Sequence, residues 1–151
     1  MTSDPSYSTS AAPDPLSLDS QLCFPLYAAA RKVVALYTPY FKPLGLTYTQ
    51  YIALMALWQE HTISVKDLGQ KLCLDSGTLT PLLKKMEAAG YVTRKRSQED
   101  ERLVMITITG QGMSLKERVA DIPAKIGSCI PLETDEAIQL YTLLYKLLAN
   151  I

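Results

Sequence analysis

Apolar residues recur along the chain at helical spacing, and short polar segments separate these runs. From Ser20 to about Lys42 they recur at threes and fours, which predicts a first helix. Thr47 and Gln50 match a capping box, in which each side chain bonds to the backbone of the other residue. The next run, through Trp58, is apolar on all sides, so we expect that helix to lie buried in the domain centre.

Two shorter helices and a hairpin follow. Ser64 begins a predicted helix over 65–72, and either Asp75 or Ser76 begins a second that runs to about Ala89. Two β-prone segments, 91–96 and 102–109, flank a charged turn and predict a hairpin. This order is typical of a winged helix-turn-helix within a mainly α fold.

The remaining chain completes one integrated domain. Residues 1–18 carry no apolar period and are predicted to form a disordered tail. Residues 19–45 hold the N-terminal helix, 46–110 the winged helix-turn-helix, and 111–151 the C-terminal helices. The last helix is apolar over a wide face, so it needs a partner, either the first helix or a second subunit.

The second short helix has the surface expected of a DNA-recognition helix. A projection at 100° per residue turns the leucines and Met86 inward and a small, hydroxylated and basic face outward. Small residues allow close approach to the major groove, hydroxyls bond base edges or phosphates, and lysines neutralise phosphates. An ordinary amphipathic surface helix is the alternative. The predicted DNA-binding residues of this helix are Ser76, Gly77, Thr78, Thr80, Pro81, Lys84 and Lys85.

The predicted wing concentrates positive charge. Arg94, Arg96 and Arg102 lie on one short ribbon, where Arg102 is placed to enter the minor groove. Asp100 lies at the same tip, and an ion pair from Asp100 to Arg102 would orient the arginine rather than repel DNA. All four are predicted DNA-binding residues.

Composition limits the remaining possibilities. Apolar residues make up 48% of the 151 positions, and Lys plus Arg equals Asp plus Glu at 15 each, so no net charge indicates nucleic acid. No apolar run is long enough for a membrane span and no secretory signal is present, which predicts a cytoplasmic protein. The three cysteines are widely spaced and there is one histidine, so we expect no metal site and no cofactor.

Four segments resemble the MarR family and, within it, the organic hydroperoxide resistance regulators (OhrR). They are LCFPLYAAAR, LTYTQYIALMALW, LDSGTLTPLLKKMEAAGYVTRKRSQEDER and ITITGQG, and the similarity spans about 21–126. The wing spacing from Asp100 to Arg102 is shared across the family. Cys23 within LCF, together with Tyr27, Tyr37 and Tyr48, indicates the OhrR branch.

The resemblance implies a homodimer held by its N- and C-terminal helices that represses transcription from a pseudo-palindromic double-stranded operator. It implies that Cys23 senses organic hydroperoxides with support from the hydroxyls of Tyr27, Tyr37 and Tyr48, some of them from the partner subunit. Cys129 stands where a resolving cysteine would, which makes the chain similar to the two-cysteine type. The protein is then not an enzyme.

Activating such a thiol takes more than helix polarity. A thiol of pKa about 8.5 is only about 3% thiolate at pH 7. A helix N-terminus stabilises an anion such as a thiolate by about 0.3–1 kcal/mol, whereas each hydrogen bond to a charged acceptor stabilises it by about 1.5–3 kcal/mol. Hydrogen bonds from tyrosines would therefore contribute most of the stabilisation. Pro25 either marks the first helical position or costs the helix one backbone hydrogen bond. Cys73, at the helix-turn-helix connection, is predicted to be a buried structural residue.

Two rival functions remain open at this stage. A MarR-type repressor is released by a small lipophilic or phenolic ligand without thiol chemistry. A catalytic thiol peroxidase turns over with a reductant. Release of the operator by hydroperoxide-treated Cys23→Ser would favour the ligand-released repressor. Consumption of more than one peroxide equivalent per subunit would favour the peroxidase.

Overall fold

A computed structural model describes residues 14–151. The chain divides into two compact units, one ending at Ala35 and the other spanning Leu36–Ile151. Residues 1–13 of the predicted tail lie outside the described residues. In the rest of that tail, a 3₁₀ turn begins at Leu18.

The first unit contains one long helix, α1 (Cys23–Ala35), which buries none of its residues. The sequence predicted one helix to about Lys42, and that prediction was wrong. The second unit instead begins a separate short helix, α2 (Thr38–Phe41), with Pro39 in its first turn. Proline lacks an N–H and so cannot continue the earlier helix, but it fits the start of a new one.

The second unit continues through α3 (Tyr48–Glu60), β1 (Thr62–Ser64), α4 (Val65–Leu72) and α5 (Ser76–Ala88). The strands β2 (Val92–Arg96) and β3 (Val104–Ile108) follow, then α6 (Gly110–Val119), α7 (Ile122–Gly127) and α8 (Thr134–Leu148). The three strands form one antiparallel sheet in the order β1-β3-β2. The mainly α fold with a winged helix-turn-helix is thus confirmed.

Local capping explains where these helices begin. The Thr47 hydroxyl accepts the Gln50 N–H at 3.2 Å, and Gln50 Oε1 accepts the Thr47 N–H at 2.9 Å, as the capping box predicted. The strand β1 was not predicted, because three residues are too few to set an alternating pattern. It pairs with β3, with Ile63 opposite Ile106.

The core lies around α3, as its uniformly apolar sequence predicted. Leu54 and Leu57 are fully buried in it, together with Leu68 of α4, Leu83 of α5 and Ile106 of β3. Within the described part of the chain, no helix is long and apolar enough to span a membrane.

Candidate DNA-binding surface and thiol sites

The helix-turn-helix is fixed by side-chain caps at both of its helices. Ser64 Oγ accepts the Asp67 N–H at 3.0 Å at the start of α4, and Asp75 Oδ1 accepts the Thr78 N–H at 2.8 Å at the start of α5. The Thr78 N–H lowers the pKa of the Asp75 carboxyl, since the hydrogen bond favours the carboxylate. The residue at which each of the two helices begins therefore follows from short-range chemistry.

The turn between these helices overturns one prediction. Cys73 ends α4 in the left-handed conformation, at φ 53°, and its side chain is exposed rather than buried. Cys73 lies in the connection between two helices, and connecting segments run over the protein surface, which accounts for the exposure. Cys73 also lines an open cavity of about 670 Å³ with Lys66, Thr80 and Arg102.

The outer face of α5 is as the helical projection predicted. Leu79, Leu83 and Met86 are buried against the core, and Leu82 is half-buried. Every predicted DNA-binding residue of this helix is exposed: Ser76, Gly77, Thr78, Thr80, Pro81, Lys84 and Lys85. Their contact with DNA stays a prediction. Thr78 donates its hydroxyl hydrogen to Asp75 Oδ2 at 3.1 Å, so its oxygen is left to act as an acceptor.

The wing tip is a compact turn with a different role for Asp100 than the sequence suggested. Asp100 Oδ1 accepts the main-chain N–H of Arg102 at 3.0 Å, and no ion pair joins their side chains among the described residues. An aspartate carboxylate readily accepts a hydrogen bond from the main-chain N–H two residues ahead. That N–H is nearer to the carboxylate than the guanidinium at the end of the arginine side chain. The suggested ion pair was therefore wrong, and the Arg102 side chain is exposed.

Arg96 and Arg94 differ although they share one strand. Arg96 is exposed and donates to the carbonyl oxygen of Glu101 at 3.0 Å. Arg94 is half-buried and pairs with Glu87 of α5, with Nε to Oε2 at 2.8 Å and a terminal nitrogen to Oε2 at 2.7 Å. Sequence reasoning missed Glu87, because its partner comes from the next element along the chain and leaves no mark in the helical period.

The first unit holds the predicted sensor thiol. Cys23 is the first residue of α1, and its thiol is free and exposed. Pro25 is the third helical residue, where an N–H has no intrahelical partner, so it costs no hydrogen bond. One turn beyond Cys23, the Tyr27 hydroxyl accepts a hydrogen bond from Arg31 at 3.0 Å, and the guanidinium carbon lies 5.5 Å from the ring centroid.

The second unit holds the other two predicted supporting tyrosines and brings them together. The rings of Tyr37 and Tyr48 lie 4.9 Å apart, and Tyr51 lies 5.9 Å from Tyr37. Burial raises the pKa of Tyr37, and Tyr48 raises it further, so Tyr37 remains a protonated hydrogen-bond donor at neutral pH.

The predicted resolving cysteine also lies in the second unit. Cys129 follows α7, is exposed, and donates a weak hydrogen bond from its sulfur to the Lys125 carbonyl oxygen at 3.3 Å. The thiol is free, and the segment around it carries no regular helix until α8 begins at Thr134. Its pairing with Cys23 stays a prediction.

Comparison with known proteins relates this arrangement to DNA-binding regulators. Residues 35–119 match the family described as "Transcriptional regulator SarA/Rot". The chain is 47% identical over 138 residues to the organic hydroperoxide resistance transcriptional regulator of Bacillus subtilis (strain 168), covering 91% of this chain and 94% of that protein.

Solved structures agree with this assignment. Reduced AbfR bound to DNA superimposes with a TM-score of 0.74 at 38% identity, covering 86% of this chain and 89% of that chain. A disulfide-formed AbfR gives a TM-score of 0.65 at 37% identity, covering 87% and 90%. AbfR is a protein of Staphylococcus epidermidis. The chain therefore belongs to the MarR/SarA family of winged-helix, DNA-binding transcriptional regulators.

Proposed function

We propose that this chain is a homodimeric repressor that binds a pseudo-palindromic operator when reduced and releases it when organic hydroperoxides oxidise Cys23. Cys129 then forms a disulfide with the oxidised Cys23. The observation that carries the proposal is the position of Cys23, a free and exposed thiol that opens α1. It lies in a chain 47% identical to an organic hydroperoxide resistance regulator.

The helix start and the tyrosines support activation of this thiol. Cys23 stands at the N-terminus of the 13-residue α1, the end of a helix that carries partial positive charge. Tyr27 accepts a hydrogen bond from Arg31, so its own hydroxyl hydrogen is free to be donated. Tyr37 and Tyr48 would supply further donors from one packed cluster. Phenol donors stabilise a thiolate more than the helix end alone does.

The redox steps balance without a metal or cofactor. The Cys23 thiolate attacks the terminal oxygen of a hydroperoxide, the O–O bond breaks, and the alkoxide leaves as the alcohol after protonation. The Cys129 thiolate then attacks the sulfenic sulfur, an S–S bond forms, and the hydroxide leaves as water after protonation. Two electrons pass from the two thiols to one peroxide. The Cα atoms must come within about 7 Å for this bond. If they start farther apart the backbone must move, and that movement is the proposed signal.

Exposed apolar surface supports the dimer. In α8, Ile138 is 58% exposed, Tyr141 63% and Leu143 62%, and in the first unit Leu22 is 80% exposed. Large exposed apolar side chains such as these are common at sites of protein contact. The occupant we propose is a second copy of the chain, which would also supply the second recognition helix that a pseudo-palindrome requires.

The central experiment measures DNA release by the reduced and oxidised protein. A duplex enriched from a random pool by the reduced chain is the probe, and one equivalent of cumene hydroperoxide is the oxidant. We expect at least a hundredfold loss of affinity, equal to about 2.8 kcal/mol. Cys23→Ser should bind the duplex normally and keep it after treatment. Release by Cys23→Ser would contradict thiol sensing and favour the ligand-released alternative.

A second experiment tests the resolving role. If the bridge joins two subunits, non-reducing electrophoresis of oxidised protein should show a covalent dimer that Cys129→Ser abolishes and that Cys73→Ser, the matched control, retains. A persistent monomer would mean that the link lies within one chain or does not form. An unchanged dimer in Cys129→Ser would show that Cys129 is not the resolving residue. Peroxide consumption should stop at one equivalent per Cys23, and continuing turnover with a reductant would instead indicate a thiol peroxidase.

A further inference from the structure

The half-buried pair between Glu87 and Arg94 joins the recognition helix to the wing. Besides the two side-chain contacts, Glu87 Oε1 accepts the main-chain N–H of Arg94 at 3.2 Å. The side chains are 37% and 28% exposed, respectively. Among the residues that the structure describes, it is the only ion pair between α5 and either strand of the hairpin.

The pair lies where the hairpin packs on the rest of the second unit. Val92 and Ile106 are buried at the root of the wing. Residues of α4, α5 and the hairpin, including Arg94 and Leu103, line the 670 Å³ cavity beside them. Arg94 stands opposite the buried Ile106 in the strand register. The Glu87 carboxylate therefore adds a directed polar contact between α5 and β2 to the apolar packing at the base of the wing.

The charge of Arg94 is also neutralised in place. A guanidinium held by one carboxylate through two nitrogens has a fixed direction, and the carboxylate offsets its attraction for a phosphate. Arg96 and Arg102 are exposed and have no ion pair within the described residues. Glu87 also adds negative charge to the predicted recognition helix. This charge opposes DNA binding, so we expect the carboxylate to have a structural role that offsets the cost.

We infer that Glu87 and Arg94 are positioning residues that set the angle of the wing against α5, and that Arg94 does not bind phosphate itself. This inference rests on operator binding, as in the proposed function, and is independent of peroxide sensing. The pair then acts on operator affinity through the placement of Arg102 and of the exposed face of α5.

Salt dependence of binding separates a positioning role from a phosphate contact. Each phosphate contact contributes about 0.9 to the slope of log affinity against log salt. We expect Glu87→Gln, Arg94→Gln and Arg94→Lys each to weaken binding of the selected duplex about tenfold with an unchanged slope. The double variant Glu87→Gln/Arg94→Gln should be no weaker than either single variant, because both remove one interaction.

Matched variants calibrate the measurement. Glu99→Gln removes an acid from the wing tip outside the pair and should leave affinity within about twofold of wild type. Lys84→Gln should lower the slope by about 0.9 per side chain and so report a phosphate contact. Circular dichroism and melting of each variant confirm that it is folded at the assay temperature, and hydroperoxide release measured in the same samples tests sensing separately.

Two results would overturn the inference. Tighter or equal binding by Glu87→Gln would mean that the carboxylate only repels DNA. Retained affinity in Arg94→Lys, with a lower slope in Arg94→Gln, would mean that Arg94 contacts a phosphate through its charge. A wild-type chain that enriches no duplex would overturn the inference together with the operator-binding part of the proposed function.

Discussion

Two helices of similar length and apolar content, α3 and α8, have opposite fates in the second unit. The 13-residue α3 buries seven residues, among them Tyr51, Leu54 and Trp58. The 15-residue α8 buries none, and Leu140 and Tyr141 are 46% and 63% exposed. The difference lies in the neighbours, because the sheet, α4, α5 and α6 all pack on α3.

This comparison separates what one chain completes from what it leaves open. The winged-helix core buries its apolar surface internally, so it presents the predicted DNA-binding face without help. The apolar surface of α8 is left exposed, and the proposed second copy of the chain would cover it.

Gly112 provides the severest test of the packed region. A Cβ atom there would lie 2.3 Å from the Tyr91 carbonyl oxygen and 2.8 Å from a side-chain carbon of Ile108. The Gly112 carbonyl oxygen also accepts the Trp58 indole N–H at 3.0 Å. Gly112→Ala should therefore lower the free energy of unfolding by about 3 kcal/mol or more, measured by urea unfolding with Trp58 fluorescence.

The matched control for that change is Gly110→Ala, in the same helix. A Cβ at Gly110 meets nothing within 4 Å. Its free energy of unfolding should stay within about 0.5 kcal/mol of wild type. Equal losses in the two variants would show that close packing at Gly112 is not the cause.

Leu140→Glu tests whether the open face of α8 is covered by a second copy. Burying a carboxylate in an apolar interface is costly when no cation or hydrogen-bond donor pairs with it. The dimer dissociation constant should therefore rise about a hundredfold. Sedimentation velocity over a concentration series measures it. Gln139→Glu places the same carboxylate on the neighbouring polar face and should remain dimeric. A dimer unaffected by Leu140→Glu would place the interface elsewhere.

Tyr37→Phe tests the proposed role of the Tyr37 hydroxyl in sensing. The change removes one hydroxyl and keeps the ring that contacts Tyr48. We expect oxidation of Cys23 to slow about tenfold, with operator affinity unchanged, since one charge-assisted hydrogen bond is lost. Stopped-flow kinetics with cumene hydroperoxide measure the rate. The control Tyr51→Phe alters the same aromatic cluster at a residue outside the predicted sensor set, and its Cys23 should oxidise at the wild-type rate. Equal rates in wild type, Tyr37→Phe and Tyr51→Phe would show that Tyr37 does not support the sensor.

The smallest expected effect is the acid response of the α5 cap. The pKa of Asp75 is lowered in the folded state by the Thr78 N–H, so its stabilisation is complete above the unfolded value of about 4. That stabilisation is lost as the pH falls through the lowered folded value. Asp75→Asn keeps the acceptor oxygen and should reduce the acid-induced fall in melting temperature by about 2 °C between pH 7 and 3.

Two other carboxyl groups account for the acid response that remains in Asp75→Asn. The pKa values of Glu87 and Asp121 are also lowered, by their hydrogen bonds to Arg94 and Lys125. Both groups stabilise the fold above their unfolded pKa and lose that contribution on acidification. A melting profile identical to wild type in Asp75→Asn would mean that the cap does not depend on the carboxylate charge.

Local chemistry in the sequence determined much of this protein. The caps at Thr47 and Ser64, the inward leucines of α5 and the two strands of the hairpin were all predicted, because each depends on residues that lie near one another along the chain. The cap of α5 was narrowed to Asp75 or Ser76, and the structure selects Asp75. The wide apolar face of α8 was also evident, and with it the need for a partner.

Tertiary structure alone decided the features that join distant positions. The short strand β1 exists because β3 pairs with it, and Cys73 is exposed where the connection between α4 and α5 runs over the surface. Arg94 and Arg96 are alike in sequence, yet only Arg94 meets Glu87, across the turn after α5. Periodicity carries no information on such meetings, since they depend on the angle at which two complete elements pack.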